Sequence, residues 1–221
     1  YTFTPESVDI NNLTSDRSFS FTATAVESEE QARVIIVAGG GDPDDPLWPA
    51  TNATANFAYR ALLYKGISKE NIRYYNAQTD QDVDGDGENN DILEAPGIAS
   101  LQQSSEGWAK ESVSENIPLI VYLLDHGLPD TFFLTKRLDG EAVSINSSTP
   151  DGWLDNLQNP TNTKVVLIYD ACVSGSFMQG LAASGSQRRI LLFSADKDEL
   201  AYFGSAGDLS FSSFFWAHSL K

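Results

Sequence analysis

The chain has 221 residues and a mass of 24.1 kDa, with 41% hydrophobic and 11% aromatic residues, enough apolar material for a buried core of its own and too much for an intrinsically disordered chain. Lys and Arg total 14 against 31 Asp and Glu, a formal net charge of −17, which argues against nucleic acid and anionic membranes as partners, because both are held through a basic face. No apolar run reaches the roughly 18 residues of a membrane-spanning helix, so no membrane insertion is expected, and a single cysteine, Cys172, excludes an internal disulfide framework and a multi-cysteine zinc site.

Residues 1–31 are Thr- and Ser-rich, with short alternating stretches such as Phe19-Ser20-Phe21-Thr22-Ala23-Thr24 and no helical period, which reads as an extended N-terminal arm. This stretch resembles the last strands of the Ig-like repeats of bacterial surface proteins. Together with a start at Tyr1 that lacks a signal pattern, it leads to the expectation of a longer exported parent. From Arg33 onward, β-branched runs alternate with amphipathic segments, the pattern of βαβ units around a mostly parallel sheet. Strands are expected at Arg33–Ala38, Ile72–Tyr75, Pro118–Leu124, Lys164–Tyr169 and Arg189–Ser194, and helices at Ala53–Lys65, Gly97–Lys110, Asp151–Gln158 and near Phe211–Ser219. Leu119–Leu124 and Val165–Tyr169 are apolar on both faces, as central parallel strands covered by helices must be. Phe132–Thr135 and Glu141–Ser144, joined through Leu138-Asp139-Gly140, read as an appended hairpin.

In open α/β sheets, ligands bind beyond the carboxyl ends of the strands. Two such ends carry reactive groups. One expected strand runs into Asp125-His126-Gly127 and another into Asp170-Ala171-Cys172-Val173-Ser174-Gly175-Ser176-Phe177. A thiol is a weak nucleophile at neutral pH unless an imidazole takes its proton or stabilises its anion. The chain has two histidines: His218 lies in the expected C-terminal helix beside Trp216, whereas His126 follows a buried strand and precedes a glycine. The backbone N–H groups of Gly127 and Cys172 could form an oxyanion hole. A lone cysteine at a strand end is more often a small buried hydrophobe; the conjunction of Cys172 with His126 at equivalent strand exits favours chemistry.

These segments, His126-Gly127 and Asp170 through Phe177, each after an apolar strand, resemble the legumain-type cysteine peptidases of the caspase–hemoglobinase superfamily, from about Arg33 to Leu220. The resemblance implies a three-layer caspase-like α/β sandwich and a catalytic dyad of His126 and Cys172. It also implies cleavage of peptide or protein substrates through a thioester. By motif position, Asp170 would sit in the pocket for the residue before the scissile bond, with Ser194-Ala195-Asp196 along its wall. Legumains carry an Arg-His pair where this chain has Trp48-Pro49-Ala50-Thr51-Asn52. A pocket bearing Asp170 and Asp196 without that basic pair would suit Arg or Lys, because a buried carboxylate needs a compensating cation.

The segment from Asp80 to Asp91 follows a calcium-loop pattern, with Asp in place of the final Glu. Oxygen ligands at alternating positions around a sharp glycine turn can wrap a hard cation. The candidate ligands are Asp80, Asp82, Asp84, the Asp86 carbonyl, Glu88 and Asp91. Unit charges about 5 Å apart repel by roughly 0.8 kcal/mol per pair even in water, so Ca2+ is expected as a structural ion. Millimolar extracellular calcium would fill such a site, in keeping with an extracellular or cell-surface location. The competing readings are a solvated acidic loop, a catalytically inactive binding or structural module, and a serine hydrolase; the last lacks the G-x-S-x-G elbow. Composition leaves the oligomeric state open.

Overall fold

A computed structural model of the chain describes residues 31–136, 142–203 and 210–219. In chain order these form β1 (Arg33–Ala38), α1 (Trp48–Tyr64), β2 (Ile72–Tyr75), α2 (Ile98–Gln103), a π-helical turn (Ser104–Ala109), α3 (Lys110–Ser112), β3 (Leu119–Leu124), β4 (Gly127–Leu128), β5 (Thr131–Lys136) and β6 (Ala142–Ile145). They continue with α4 (Ser148–Thr161), β7 (Lys164–Asp170), a 3-10 turn (Ser174–Phe177), β8 (Arg188–Phe193) and α5 (Phe211–Ser219). The arm expected over residues 1–31 falls almost wholly outside the described residues, as does the expected turn Leu138-Asp139-Gly140.

Among the described residues, five strands pair in the order β2-β1-β3-β7-β8, all parallel. The two richest apolar runs, β3 and β7, sit side by side, with Leu119 opposite Val165 and Leu124 opposite Asp170. Strand side chains alternate between faces, and two cores result. Ile35, Val37, Leu123, Leu167 and Tyr169 pack under α2, the π turn and α4, while Val34, Ile36, Tyr122 and Ile168 pack against α1 and α5. Helices on both faces of a parallel sheet make the three layers that the alternation of elements implied. Each fully buried Leu, Ile or Val in these layers contributes roughly 1.5–3 kcal/mol.

Three elements differ from expectation. Helix α1 begins at Trp48 rather than Ala53, with Pro49 in its first turn; proline suits that position, since its missing N–H would be unpaired there anyway. The helix expected over Gly97–Lys110 widens into a π turn at Ser104–Ala109, which carries Trp108 beneath the Arg73 guanidinium, 5.0 Å from ring centroid to Cζ. The hairpin gains a short third strand, β4, and forms a separate antiparallel sheet in the order β4-β5-β6.

Strand β8 is anchored by a buried cation. The Arg189 side chain is 1% exposed and donates to Asp151 Oδ1 at 2.5 Å, to Asp155, and to Gln158 Oε1 at 2.6 Å. These three acceptors lie on α4, and Leu181 O accepts from Nη1 at 3.2 Å, so β8 is fastened to the helix layer by a guanidinium bonded through all three of its nitrogens.

Candidate active site at the carboxyl edge of the sheet

Because β3 and β7 are paired neighbours, the segments that follow them start from the same edge. The ladder runs one step past β3, where Asp125 N–H donates to Asp170 O at 3.3 Å. The next residues are His126 and Gly127 on one side and Ala171 and Cys172 on the other. Gly127 rests on the Cys172 backbone: a Cβ there would overlap the Cys172 carbonyl oxygen and lie 2.9 Å from Tyr169 Oη and 3.0 Å from Ala171 Cβ. Glycine is therefore required at 127 by close approach of two backbones. Tyr169 supports both loops from the core; its ring makes edge contacts with Phe132 of β5 at 5.3 Å and with Phe177 of the 3-10 turn at 4.9 Å. Burial, and then the nearby Asp125, push the Tyr169 hydroxyl far above its ordinary pKa, so it is a neutral donor, bonded to Thr131 O at 3.2 Å.

Cys172 is half-buried and free, with Sγ 4.0 Å from Ala201 O. The residue after it, Val173, has φ +51, a left-handed conformation costly for a β-branched side chain. Its N–H donates to Glu199 O at 2.7 Å, and Gly175 N–H donates to Ala195 O at 3.0 Å. The thiol loop is thus laced to the segment that follows β8. The exit of β8 also supplies Leu200 and Tyr202, which are 81% and 73% exposed on either side of Ala201.

His126 is half-buried, and its Nε2 lies 2.9 Å from Asp45 Oδ2. Asp45 is itself buried. Its other oxygen accepts Leu47 N–H at 2.9 Å, and its carbonyl accepts Trp48 N–H at 3.0 Å, so the start of α1 fixes the carboxylate. Asp45 did not emerge from the sequence. The available signal was the run Gly39-Gly40-Gly41 at the exit of β1, followed by Asp42, Asp44 and Asp45. At Gly40, with φ +79, a Cβ would lie 2.7 Å from Asp125 Oδ2, so the glycines let the chain cross the Asp125 side chain. Asp125 accepts from Thr51 Oγ1 at 3.4 Å.

The expected pocket residues are placed unequally. Asp170 has no exposed surface; Oδ2 accepts Ser212 N–H from the first turn of α5 at 3.1 Å, and Oδ1 has no hydrogen-bond partner among the described residues. Burial pushes its pKa up, partly offset by the Ser212 and Ser194 hydroxyls. Ser194 Oγ accepts Ala171 N–H at 3.1 Å, bracing the thiol loop. Asp196 is exposed, beside Gly175. The described residues therefore close Asp170 beneath α5 while Asp196 faces solvent, a split that follows from Asp170 being the last strand residue on the α5 face.

Of the six candidate calcium ligands, Asp82, Asp84 and Asp91 offer oxygens within 4.8 Å of one another, a span that two oxygens on opposite sides of a calcium ion, each 2.3–2.6 Å from it, would have. Asp82 also accepts N–H groups of Gly85, Asp86 and Gly87. Asp91 is buried and receives Val83 N–H at 2.6 Å and the Tyr59 hydroxyl at 2.9 Å. Asp80 instead contacts Asn89, and Asp86 and Glu88 are exposed outside the group of three. The three grouped carboxylates are the third, fifth and twelfth positions of the expected frame. The Lys69 ammonium lies among these carboxylates, 2.6 Å from Asp91 Oδ1 and 3.2 Å from Asp84 Oδ2.

No protein-family model matches the chain, and no curated protein matches it. Among solved structures it is similar to the crystal structure of caspase-1 from Spodoptera frugiperda, with a TM-score of 0.55 at 12% identity over 88% of this chain and 70% of that one. The likeness is one of fold: a caspase-like α/β architecture with a mostly parallel central sheet.

Proposed function

We propose that this chain is a cysteine endopeptidase of legumain type, with Cys172 as nucleophile, His126 as general base and acid, and Asp45 holding His126 in place. One observation carries the reading: the only cysteine and the histidine loop leave adjacent paired strands, with Gly127 seated on the Cys172 carbonyl. In the proposed reaction His126 takes the thiol proton and Sγ attacks the carbonyl carbon of the scissile bond. The resulting oxyanion accepts from the N–H groups of Gly127 and Cys172, each donor of this kind lowering the barrier by roughly 3–4 kcal/mol. The imidazolium then passes its proton to the leaving nitrogen, the C–N bond breaks and a thioester remains. Water, deprotonated by His126, attacks the thioester and releases the acid and the thiol. With Asp45 accepting from Nε2, Nδ1 carries the lone pair for these transfers.

The test is labelling by a peptidyl electrophile that alkylates thiols irreversibly. Cys172 of the folded protein should gain the probe mass, and His126→Ala should stop it. Labelling only after denaturation would overturn the reading.

For substrate class we infer a basic residue before the cut. Asp170 Oδ1 has no hydrogen-bond partner among the described residues, but α5 closes over it, so the preference rests on the charge of the surrounding edge. The loops at this edge add Asp42, Asp44, Asp130, Asp196, Asp198 and Glu199 against Lys197, a field that concentrates cationic peptides. A peptide panel varying only the residue before the scissile bond should favour Arg and Lys; cleavage after Asn but not after these would end the idea.

We further propose that Asp82, Asp84 and Asp91 hold Ca2+ as a structural ion. A structural ion there would stiffen the connection that follows β2. A site of this kind fills readily in calcium-rich surroundings, which supports an extracellular or cell-surface setting within a larger exported protein.

A further inference from the structure

The two loops at the carboxyl edge are tied again beyond the strand ends. Leu128 and Thr131 pair across the β4–β5 turn, whose corner residue Asp130 has φ +49. The Asp130 N–H, four residues past His126, donates to the Ser176 hydroxyl at 2.9 Å, four residues past Cys172. Asp130 Oδ1 also accepts Ser147 N–H at 2.8 Å from the residue before α4, so the turn is held from a second side. Ser176 is itself fixed: its N–H donates to Val173 O at 2.9 Å in the 3-10 turn.

Three ties therefore follow one another outward between the imidazole loop and the thiol loop. Asp125 N–H bonds Asp170 O, Gly127 lies on the Cys172 carbonyl, and Asp130 N–H bonds Ser176 Oγ. The first two use backbone atoms and a glycine. The third depends on one side-chain oxygen and spans two residues held at positive φ, Asp130 and Val173. Left-handed non-glycine residues cost of order 1–3 kcal/mol each and persist where surrounding bonds over-determine them.

We propose that Ser176 is a positioning residue for the Cys172–His126 pair: its hydroxyl, by accepting the Asp130 N–H, holds the imidazole loop in register with the strained thiol loop. This assignment rests on the peptidase reading above. A reacting pair displaced by about 1 Å loses up to roughly 10²-fold in rate, so one bond at the loop tips has leverage on catalysis with little leverage on stability, since Ser176 is only half-buried.

The experiment compares the wild-type chain with Ser176→Ala, Ser176→Thr and His126→Ala. Each is followed by kcat and KM on a basic peptide, by the pH profile of Cys172 alkylation with iodoacetamide, and by Tm. Ser176→Ala should lower kcat roughly ten- to hundredfold with KM within about twofold, and should move the alkylation profile part of the way towards that of His126→Ala. Ser176→Thr, which keeps the hydroxyl, should restore most of the loss. A Ser176→Ala variant with wild-type kcat and profile would overturn the assignment, and so would equal losses in Ser176→Ala and Ser176→Thr. An alkylation profile unchanged by His126→Ala would instead overturn the thiol–imidazole pair itself, and the assignment with it.

Discussion

The Asp45 carboxylate lies 2.9 Å from His126 Nε2 and uses its other oxygen to accept Leu47 N–H. A carboxylate held at both oxygens orients an imidazole and stabilises its protonated form. Asp45→Ala should reduce kcat/KM by about tenfold or more, against the ~10²–10⁴-fold expected for loss of the general base itself. Steady-state kinetics on the two variants measure both, and an Asp45→Ala enzyme as active as wild type would remove Asp45 from the mechanism.

Cys172→Ala should abolish peptide hydrolysis and His126→Ala should cut it by ~10²–10⁴-fold, whereas His218→Ala should leave it unchanged. His218 is exposed on α5 with Nδ1 2.9 Å from Phe214 O, where it closes a helical turn rather than facing a strand exit. Turnover of a fluorogenic basic peptide by the three variants decides the matter.

A calcium ion at the proposed site would compete with Lys69 for the same oxygens. Burial favours a neutral Lys69, yet its bonds to Asp91 and Asp84 hold its pKa above the ordinary value; it therefore stays charged across the physiological range, and an entering ion must displace it. Calcium should raise Tm, chelator should reverse the rise, and Lys69→Met should tighten calcium binding by roughly fivefold, the equivalent of about 1 kcal/mol for a partly exposed ion pair. Titration calorimetry reads the affinity. A melting curve indifferent to calcium and chelator would show that the lysine alone closes the loop.

Two buried carboxyls give stability opposite pH dependences. Burial holds Asp170 above its ordinary 3.8, so its contribution is fully present below that value and is lost as pH rises through the raised folded value. Burial also acts upward on Asp91, but Lys69, the Val83 and Asp84 N–H groups and the Tyr59 hydroxyl bring it below 3.8, so its contribution is present above 3.8 and lost as pH falls through the lowered folded value. Asp170→Asn should therefore gain Tm relative to wild type as pH increases from 4 to 8, whereas the deficit of Asp91→Asn should be constant above about pH 5 and shrink as pH falls below about 4. Parallel Tm curves for wild type and Asp170→Asn would show that Asp170 is paired in solution.

Arg189→Met should destabilise the fold by about 3 kcal/mol, at the lower end of the cost of breaking a buried ion pair, because Asp151 and Asp155 remain partly exposed and regain water. Urea unfolding should show a lower midpoint with the slope unchanged; an unchanged midpoint would mean that packing of β8 alone holds the edge.

The strands of the sheet were legible because a parallel strand buried on both faces must be apolar throughout, as Leu119–Leu124 and Val165–Tyr169 are. Strand β4 was not, since Gly127-Leu128 is too short to show a period and becomes a strand through its pairing with Thr131 and Phe132. Aspartates alternate from Asp80 to Asp86, so the sequence does not say which of them come together; the fold of the loop around Asp91 gathers Asp82 and Asp84. Asp170 reads in sequence as a pocket residue, but whether a strand-end carboxylate is open depends on what covers its face, and here the first turn of α5 does.

From the order of its residues alone, the chain determined a parallel sheet with helices on both sides and a thiol and an imidazole at two strand exits, because burial periodicity is written within each segment. Packing decided that β3 lies against β7, that Asp45 reaches His126 from 81 positions away, and that Ser176 meets Asp130. Those are contacts between segments, fixed by how the layers close around a shared core, and no local pattern encodes them.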